Sequence, residues 1–563
     1  MSVRLAPEEL AGTAYRHDPT AGRFVVDVPS RANIAADTIG RHANGPRAAH
    51  PALIFEAHDG AIRHFSYRDV NDAANRLAVA LRNMGVSRGD RVALHSVQRP
   101  ETVIAHMAIY KLAAVATTVS QLTAADTLRY IMRDSGARVL ITHGPQWAPL
   151  RHLAKRIGSL EHVVVMAGAQ AGEIPFCRCL ESDARGFAPE CTTAEDPALL
   201  IYTSGSTGRP KGILHGHRIL HALNATLELF YNLELREPDL VFWTAADWAW
   251  IGGLNDVVFP ALTFGHSLVI CEHRYDSDWA LQFMARHGVT HILLTPTALK
   301  RLAQESDARE RFDLSLRTIF TGGESLPGET HRALSRELGV VCNEGYGMSE
   351  VNQMIGNCQR LRPIKPGSMG WDFPGHKVSL VDDDGAPVND GEVGEIVVAD
   401  DDPTLFLGYW NQPELTAAMR LGDGWIRTHD LARKDADGYY WYQGRNDDLI
   451  KSAGYRIGPA EVEEALLEHP AVADAGVIGV PDDTGDRGSV VKAYVALAQG
   501  FTGDAALAKA LREYVKAHIE AYKAPRSVEF VDRLPTTTTG KIARAELRQL
   551  AAKRRTGQAR ERG

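Results

Sequence analysis

Short apolar runs of strand length alternate with helix-patterned stretches along most of this chain, and that alternation restricts its fold more than any other feature. "DRVALHSV" (residues 90–97) and "ARVLITH" (137–143) read as strands, and "ETVIAHMAIYKLAAVAT" between them sets Val103, Met107 and Tyr110 on one helical face. The order repeats further on. "HILLTPTALKRLA" is a strand followed by Thr295 as N-cap and Pro296 in the first helical position, and "RTIFTGGESL" is a strand ending in glycines. Strands separated by helices pair in parallel, so the predicted class is α/β with layered subdomains.

The texture changes from about residue 375. "KVSLVDDDGAPVNDGEVGEIVVAD" alternates and carries Asp-Gly turns, and "ADGYYWYQGRNDDLI" does the same around Asp437 and Gly438, which predicts antiparallel hairpins and a β-rich subdomain. Beyond Gly444, charged and glycine-rich residues lead into a helix with Pro459 in its first turn and an apolar face of Val462, Leu466 and Leu467. The expected organisation is a large domain over residues 1–446 and a small α+β domain over 447–563. A length of 563 residues accommodates several such packing units.

Charge and cysteine usage exclude some classes. With 62 basic against 70 acidic residues the net charge is -8, without the basic excess that nucleic-acid binding needs. The six cysteines are scattered and none shows C-x-x-C spacing, so free thiols in a reducing compartment are expected rather than a zinc site. No run of 18 apolar residues occurs, and "MSVRLAPEELAGTAYRHD" has no apolar core, so a cytoplasmic protein with no membrane span is expected.

The chemistry concentrates in "YTSGSTGRPKG" (202–212). Gly205 and Gly208 let the backbone approach a ligand and aim N–H groups at one spot; Thr203, Ser204, Ser206 and Thr207 add hydroxyl donors, and Lys211 adds a point charge. Together they describe a polyphosphate cradle. The loop follows the apolar "PALLIY" and precedes a stretch with Leu220, Leu223 and Leu227 on one helical face, so a strand-to-helix turn at the ligand end of a sheet is expected. It departs from the G-x-x-x-x-G-K-[ST] loop, because Gly212 follows the lysine. The competing reading is a glycine-rich surface loop with no ligand.

The same string closely resembles the phosphate loop of the adenylate-forming superfamily, which comprises acyl-CoA synthetases, carrier-loading adenylation domains and firefly-type luciferases. The resemblance runs from about residue 52 to 544 and includes further motifs in the expected order. "NEGYGMSE" (343–350) is similar to the family's Y-G-x-T-E; the match places Glu344, Gly345, Tyr346, Gly347, Met348 and Ser349 at the nucleotide, with Tyr346 on adenine, Ser349 on phosphate and Glu350 on Mg²⁺. "FTGGESL" places Gly323, Glu324 and Ser325 along the adenine pocket. "WIRTHDL" resembles R-T-G-D and assigns Asp430 to the ribose hydroxyls, but His429 stands where the family has glycine, which leaves the local backbone open. In "GRNDDLIKSAGYRIGPAEVE", Arg445 matches a ribose contact, Asp447 the hinge, Gly454 the passage for the pantetheine arm of coenzyme A, and Arg456 a residue facing the phosphates. "LPTTTTGKIARAEL" resembles P-x-T-x-x-G-K-x-x-R and makes Lys541 the catalytic lysine.

What the resemblance implies is a large amino-terminal domain, a small mobile carboxy-terminal domain, and a two-step reaction using ATP, Mg²⁺ and coenzyme A. Lys211, Glu350 and Lys541 would be the catalytic set. "AADWAWIGGLNDVVFPAL" (245–262) is similar to the acyl-pocket helix of short- and medium-chain acyl-CoA synthetases, with Trp250, Ile251 and Gly252 lining the pocket beside Gly322 and Gly347. Glycine at 252, 322 and 347, where acetyl-specific members carry larger residues, implies a deeper pocket. No lysine or arginine lies in this stretch to meet a second carboxylate, so a monocarboxylic acid larger than acetate (medium-chain, branched or aromatic) is expected. Asp247 and Asn255 are left as hydroxyl ligands or helix caps. Two other readings stay open: an enzyme loading a separate phosphopantetheine carrier protein, and a non-catalytic nucleotide-binding sensor. A homo-oligomer is compatible with all three.

Overall fold

In this computed structural model the structure describes residues 5–561 other than 21, 204–208, 423, 447, 453–454, 483–488 and 537–540, without the side chains of 451, 455, 456 and 555–561. Among the described residues two large, mainly parallel sheets carry the first part of the chain. In one, the strands Pro197–Thr203, Val115–Ser120, Arg91–Ser96, Val139–Thr142, His162–Val165 and Ile174–Pro175 lie side by side in parallel. In the other, Cys342–Met348, Thr318–Gly322, His291–Leu293, Val241–Thr244, Ser267–Cys271 and Pro51–Glu56 do the same. Parallel strands are wrapped on both faces, so they read as unbroken apolar runs; "RVALHS" and "VLIT" are buried almost throughout. The helix Pro100–Lys111 packs between the helix Tyr67–Asn83 and the first sheet. Val103, Met107 and Tyr110 are buried, and so is the opposite face, Lys111 included. Thr295 accepts from the Ala298 amide at the start of Pro296–Leu302, as its position predicts.

One element differs from expectation. Pro197–Thr203 does not turn into a helix. It doubles back into the antiparallel strand Lys211–Gly216, with Thr203 opposite Lys211, and only then does the helix Ile219–Phe230 begin. The phosphate-loop residues therefore sit at a hairpin tip. Gly212 lets the paired strand pack closely on its neighbours: a Cβ there would lie 3.0–3.1 Å from Trp410, Leu200 and Tyr202. The helix that follows is buried on all sides, which explains why an apolar face alone misplaced its start.

The β-rich subdomain is antiparallel. Val378–Val381, Val393–Ala399 and Trp425–Lys434 pair in sequence, and Tyr440–Arg445 adds to Trp425–Lys434 around the Asp437–Gly438 turn. After Arg445 comes the short hairpin Ile450–Ser452 with Tyr455–Ile457, then the helix Pro459–Leu467 on a sheet of Val472–Pro481, Ser489–Leu497 and Ser527–Val531. The class is α/β with a small α+β carboxy-terminal unit. No helix among the described residues is long and apolar enough to cross a membrane.

Candidate active site

The two large sheets, the β-rich subdomain and the carboxy-terminal unit meet around one cavity of about 2310 Å³. Thr203 and Lys211 reach it from the hairpin, directly opposite each other on one rung. The neighbouring strands Thr318–Gly322 and Cys342–Met348 deliver Gly322, Gly323, Glu324 and Ser325 on one side and Glu344 to Glu350 on the other. The close approach of these strands needs glycine: a Cβ on Gly345 would sit 2.4 Å from the Phe230 ring, and one on Gly322 would sit 2.8 Å from the Gly345 carbonyl oxygen. Gly323 continues the turn at φ +86°.

Glu350 is buried, and Oε1 accepts from the Tyr409 hydroxyl at 2.6 Å. Burial pushes its carboxyl up, while Tyr409, Arg445 and Lys211 pull it back. The Lys211 ammonium lies 5.5 Å from the Tyr409 ring centre, so one tyrosine contacts both charges. Ser349 is placed by its carbonyl, which accepts from the His215 ring at 2.7 Å.

Asp430 anchors the other side. Its Oδ2 accepts from Tyr346 at 2.8 Å and its Oδ1 from Tyr442 at 3.0 Å, with the Arg445 guanidinium 4.0 Å away. Each carboxylate oxygen retains a lone pair for a ligand donor. Asp430 and Arg445 face each other in the strand register. His429, before it, takes the left-handed backbone at φ +61° that glycine ordinarily supplies, at a register shift in the strand pair. Glu344 is buried and accepts from the Leu326 amide at 3.0 Å; burial pushes its carboxyl up to about 8.

Lys541 enters the cavity from the carboxy-terminal unit; burial pushes the carboxyls of Glu324 and Asp430 up, and the Lys541 charge works against that rise. Its segment is tied down beyond it: the Ala543 amide donates to Pro535 at 2.8 Å, and the Arg544 guanidinium grips both Glu463 oxygens at 2.6–2.7 Å.

Trp250, Ile251 and Gly252 line the same cavity. Of the three pocket glycines only Gly252 leaves space, since its Cβ would meet nothing closer than Leu293 at 3.9 Å. The Gly347 Cβ would strike the Asn352 carbonyl oxygen at 2.0 Å, and Gly322 is likewise closed by backbone. Depth at those two positions is thus not what glycine provides; close strand packing is. Asp247 is satisfied locally, by Ser120 at 2.6 Å and by the Ala249 amide two residues on at 2.8 Å; the N-cap of the following helix is Trp250, so Asp247 does not cap it.

Ser204, Gly205, Ser206, Thr207 and Gly208, the hinge Asp447 and Gly454 lie outside the described residues, and so does the Arg456 side chain. Every other expected site residue faces the one cavity. Sequence reasoning missed Tyr409, Tyr442, Asp256 and Gln353. The first two carry no pattern of their own. Asp256 was visible as an acid inside the apolar "GLNDVVF".

Residues 40–410 match the AMP-binding enzyme family model and 461–541 the AMP-binding enzyme C-terminal domain. The chain is 34% identical over 504 residues to the uncharacterized acyl–CoA ligase YtcI of Bacillus subtilis (strain 168), covering 88% of this chain and 92% of that one. It is 33% identical over 523 residues to the acetyl-coenzyme A synthetase of the same organism, covering 92% and 90%. A crystal structure of the anthranilate CoA ligase AuaEII with anthranoyl-AMP superposes with a TM-score of 0.83 at 31% identity, covering 94% of this chain and 99% of that one. The chain therefore belongs to the AMP-binding enzyme family and is an AMP-forming acid–thiol ligase, an acyl-CoA synthetase with ATP and coenzyme A as substrates.

Proposed function

We propose that this ligase activates a monocarboxylic acid larger than acetate, and that the named residues divide the work as follows. Lys211 and the hairpin tip hold the outer phosphates of ATP. Tyr346 flanks the adenine, and Asp430 with Arg445 holds the ribose hydroxyls. The substrate carboxylate attacks the α-phosphorus and pyrophosphate departs. Lys541 stands where negative charge develops, and a preorganised donor of that kind contributes about 3–4 kcal/mol to the barrier. Glu350 fits Mg²⁺: it is a single buried carboxylate facing a phosphate site, and Mg²⁺ is usually held by one or two carboxylates together with substrate phosphates. When bound, the ion would supply Lewis-acid neutralisation of phosphate oxygens.

In the second half-reaction the thiol of coenzyme A attacks the acyl carbonyl and AMP leaves. The large domain over residues 1–446 and the mobile one over 447–563 would turn about Asp447 between steps, with Gly454 beside the pantetheine arm and Arg456 facing the phosphates. The observation that carries this reading is the convergence of Lys211, Glu350, Asp430 and Lys541 on one cavity from four separate parts of the chain. The acid is argued from Gly252, whose missing side chain leaves open space against Leu293. Each extra buried methylene favours the longer acid by about 0.8 kcal/mol.

The test is acid-dependent pyrophosphate exchange across a panel of short, medium, branched and aromatic acids, repeated with coenzyme A for AMP and thioester. The expected result is a higher kcat/KM for the larger acids. A clear preference for acetate overturns the pocket assignment, and thioester formation only on a carrier protein overturns the assignment of the thiol.

A further inference from the structure

Asp256 lies in the π-helical turn Leu254–Val258, one turn beyond Gly252, and has no exposed surface. Single π turns cluster at functional sites because they re-aim a side chain out of the helical repeat. The Tyr231 hydroxyl fixes the Asp256 carbonyl at 2.8 Å. Among the described residues the side chain has one partner: Gln353 Nε2 donates to Oδ2 at 3.0 Å. Oδ1 has no partner among the described residues, and neither has Gln353 Oε1. Both residues line the active-site cavity, and Gln353 is the register partner of Gly347. Leu293 and Phe320, both buried and apolar, line the same cavity. Burial pushes the Asp256 carboxyl up to about 7, and no cation offsets it.

A buried carboxyl oxygen with no donor is costly, and an apolar residue would fill the place more cheaply. The acid thus has a use that the apolar wall does not. We infer that Asp256, oriented by Gln353, is a specificity residue that accepts a hydrogen bond from a hydroxyl or amino group on the acyl portion of the substrate. The inference rests on the acyl-ligase reading of this cavity and narrows it to donor-bearing acids. A site built to pair a substrate donor discriminates strongly against the analogue that lacks it, because its own polar group is then left unpaired.

The experiment compares matched acids: hexanoate with its ω-hydroxy and ω-amino derivatives, and benzoate with its meta-hydroxy and meta-amino derivatives. Acid-dependent AMP release with ATP, Mg²⁺ and coenzyme A gives kcat/KM for wild type, Asp256→Leu and Asp256→Asn. In at least one series wild type is expected to favour a donor-bearing acid over its parent by about 10-fold or more. Asp256→Leu should reverse that ratio, and Asp256→Asn should lower it at least threefold. The hydroxy and amino arms show which donor is read. AMP release with the parent favoured in every series, or with a ratio that both variants leave unchanged, overturns the inference alone. Absence of acid- and coenzyme A-dependent AMP release on every acid overturns the ligase reading and the inference with it. Should Asp256→Leu fail to fold, the wild-type ratio and the Asp256→Asn ratio decide.

Discussion

Glu395 Oε1 accepts from the His429 backbone amide at 3.1 Å and lies 3.3 Å from Nδ1 of the same residue. One carboxylate thereby holds both ends of a residue in left-handed backbone, directly before the ribose-site aspartate. Arg427 pairs with the other Glu395 oxygen at 2.6 Å, so the carboxylate is itself fixed. A left-handed conformation costs a non-glycine residue about 1–2 kcal/mol, and glycine pays for its freedom with about 0.5–1 kcal/mol of chain entropy. His429→Gly is therefore expected to be neutral or stabilising by up to about 1 kcal/mol, and His429→Val to destabilise by about 1–2 kcal/mol. Urea midpoints of the two variants check this. A glycine variant less stable than the valine one would show that the imidazole, not the backbone, is what matters at this position.

Tyr409 donates to Glu350 from a strand of only two residues, Gly408–Tyr409. Removing the hydroxyl leaves a buried carboxylate short of a donor, which costs about 1–3 kcal/mol and drives it towards its protonated form. Tyr409→Phe should lower kcat by roughly 10-fold at limiting Mg²⁺, with much of the loss recovered at high Mg²⁺. Titrating the adenylation rate with Mg²⁺ at fixed ATP measures it. An unchanged Mg²⁺ dependence would remove Tyr409 from the metal argument.

The parallel sheets were legible because doubly covered strands leave continuous apolar runs, and the hairpins after residue 375 because Asp-Gly turns need positive φ at glycines such as Gly385 and Gly438. The hairpin at Lys211 was not legible. "KGILHGHRILHAL" mixes histidines and glycines with its apolar residues, so no period marks where strand gives way to helix, and only pairing with Pro197–Thr203 does. The charged site residues stood out by type and order. Tyr409, Tyr442 and Gln353 did not, since each acts through a neighbour brought close only by the fold. The pocket glycines were seen but two were misread, because sequence does not tell a glycine that opens a cavity from one that admits a backbone.

That distinction is testable. Gly252→Leu extends into open space, so the variant should fold normally and lose preference for longer acids, by roughly 4-fold for each methylene displaced. Gly347→Ala meets a carbonyl oxygen at 2.0 Å, so strand Asn352–Gly356 must move; a loss of several degrees in melting temperature is expected whichever acid is bound. Thermal melts together with an acid panel distinguish the two. A Gly347→Ala protein of normal stability would refute the packing explanation.

Two opposing sets of buried groups shape stability against pH. His95, His215, His217 and His266 are pushed down to about 4, and His106 to about 3, by burial. The unfolded chain takes up their protons first, so this contribution is present above about pH 6.5 and is lost as pH falls towards 4. Glu344 and Asp256 are pushed up by burial, to about 8 and about 7. For them the folded state holds the proton longer, so stability is present below about pH 4 and is lost as pH rises through 7 and 8. The ligand-free protein should therefore melt highest near neutrality and decline by pH 8.5. Glu344→Gln should flatten the alkaline side and leave the acid side alone, as melting curves at half-unit pH steps would reveal.

Lys541 reaches the cavity from the carboxy-terminal unit, where Arg544 and Arg548 also line it but pair with Glu463 and Asp448, and its charge opposes the burial-driven rise of the Glu324 and Asp430 carboxyls. In the role proposed for it, Lys541 serves charge that develops during adenylation rather than thiol attack on the activated carbonyl. Lys541→Ala should thus reduce pyrophosphate exchange by about 10²–10³ while leaving conversion of a supplied acyl adenylate to thioester within a few-fold of wild type. Lys541→Arg should recover little, because a guanidinium is larger and presents its charge over a plane. Measuring the two half-reactions separately decides the matter: equal losses in both would mean that the lysine organises the cavity as a whole, and an unimpaired exchange rate would exclude it from the first step.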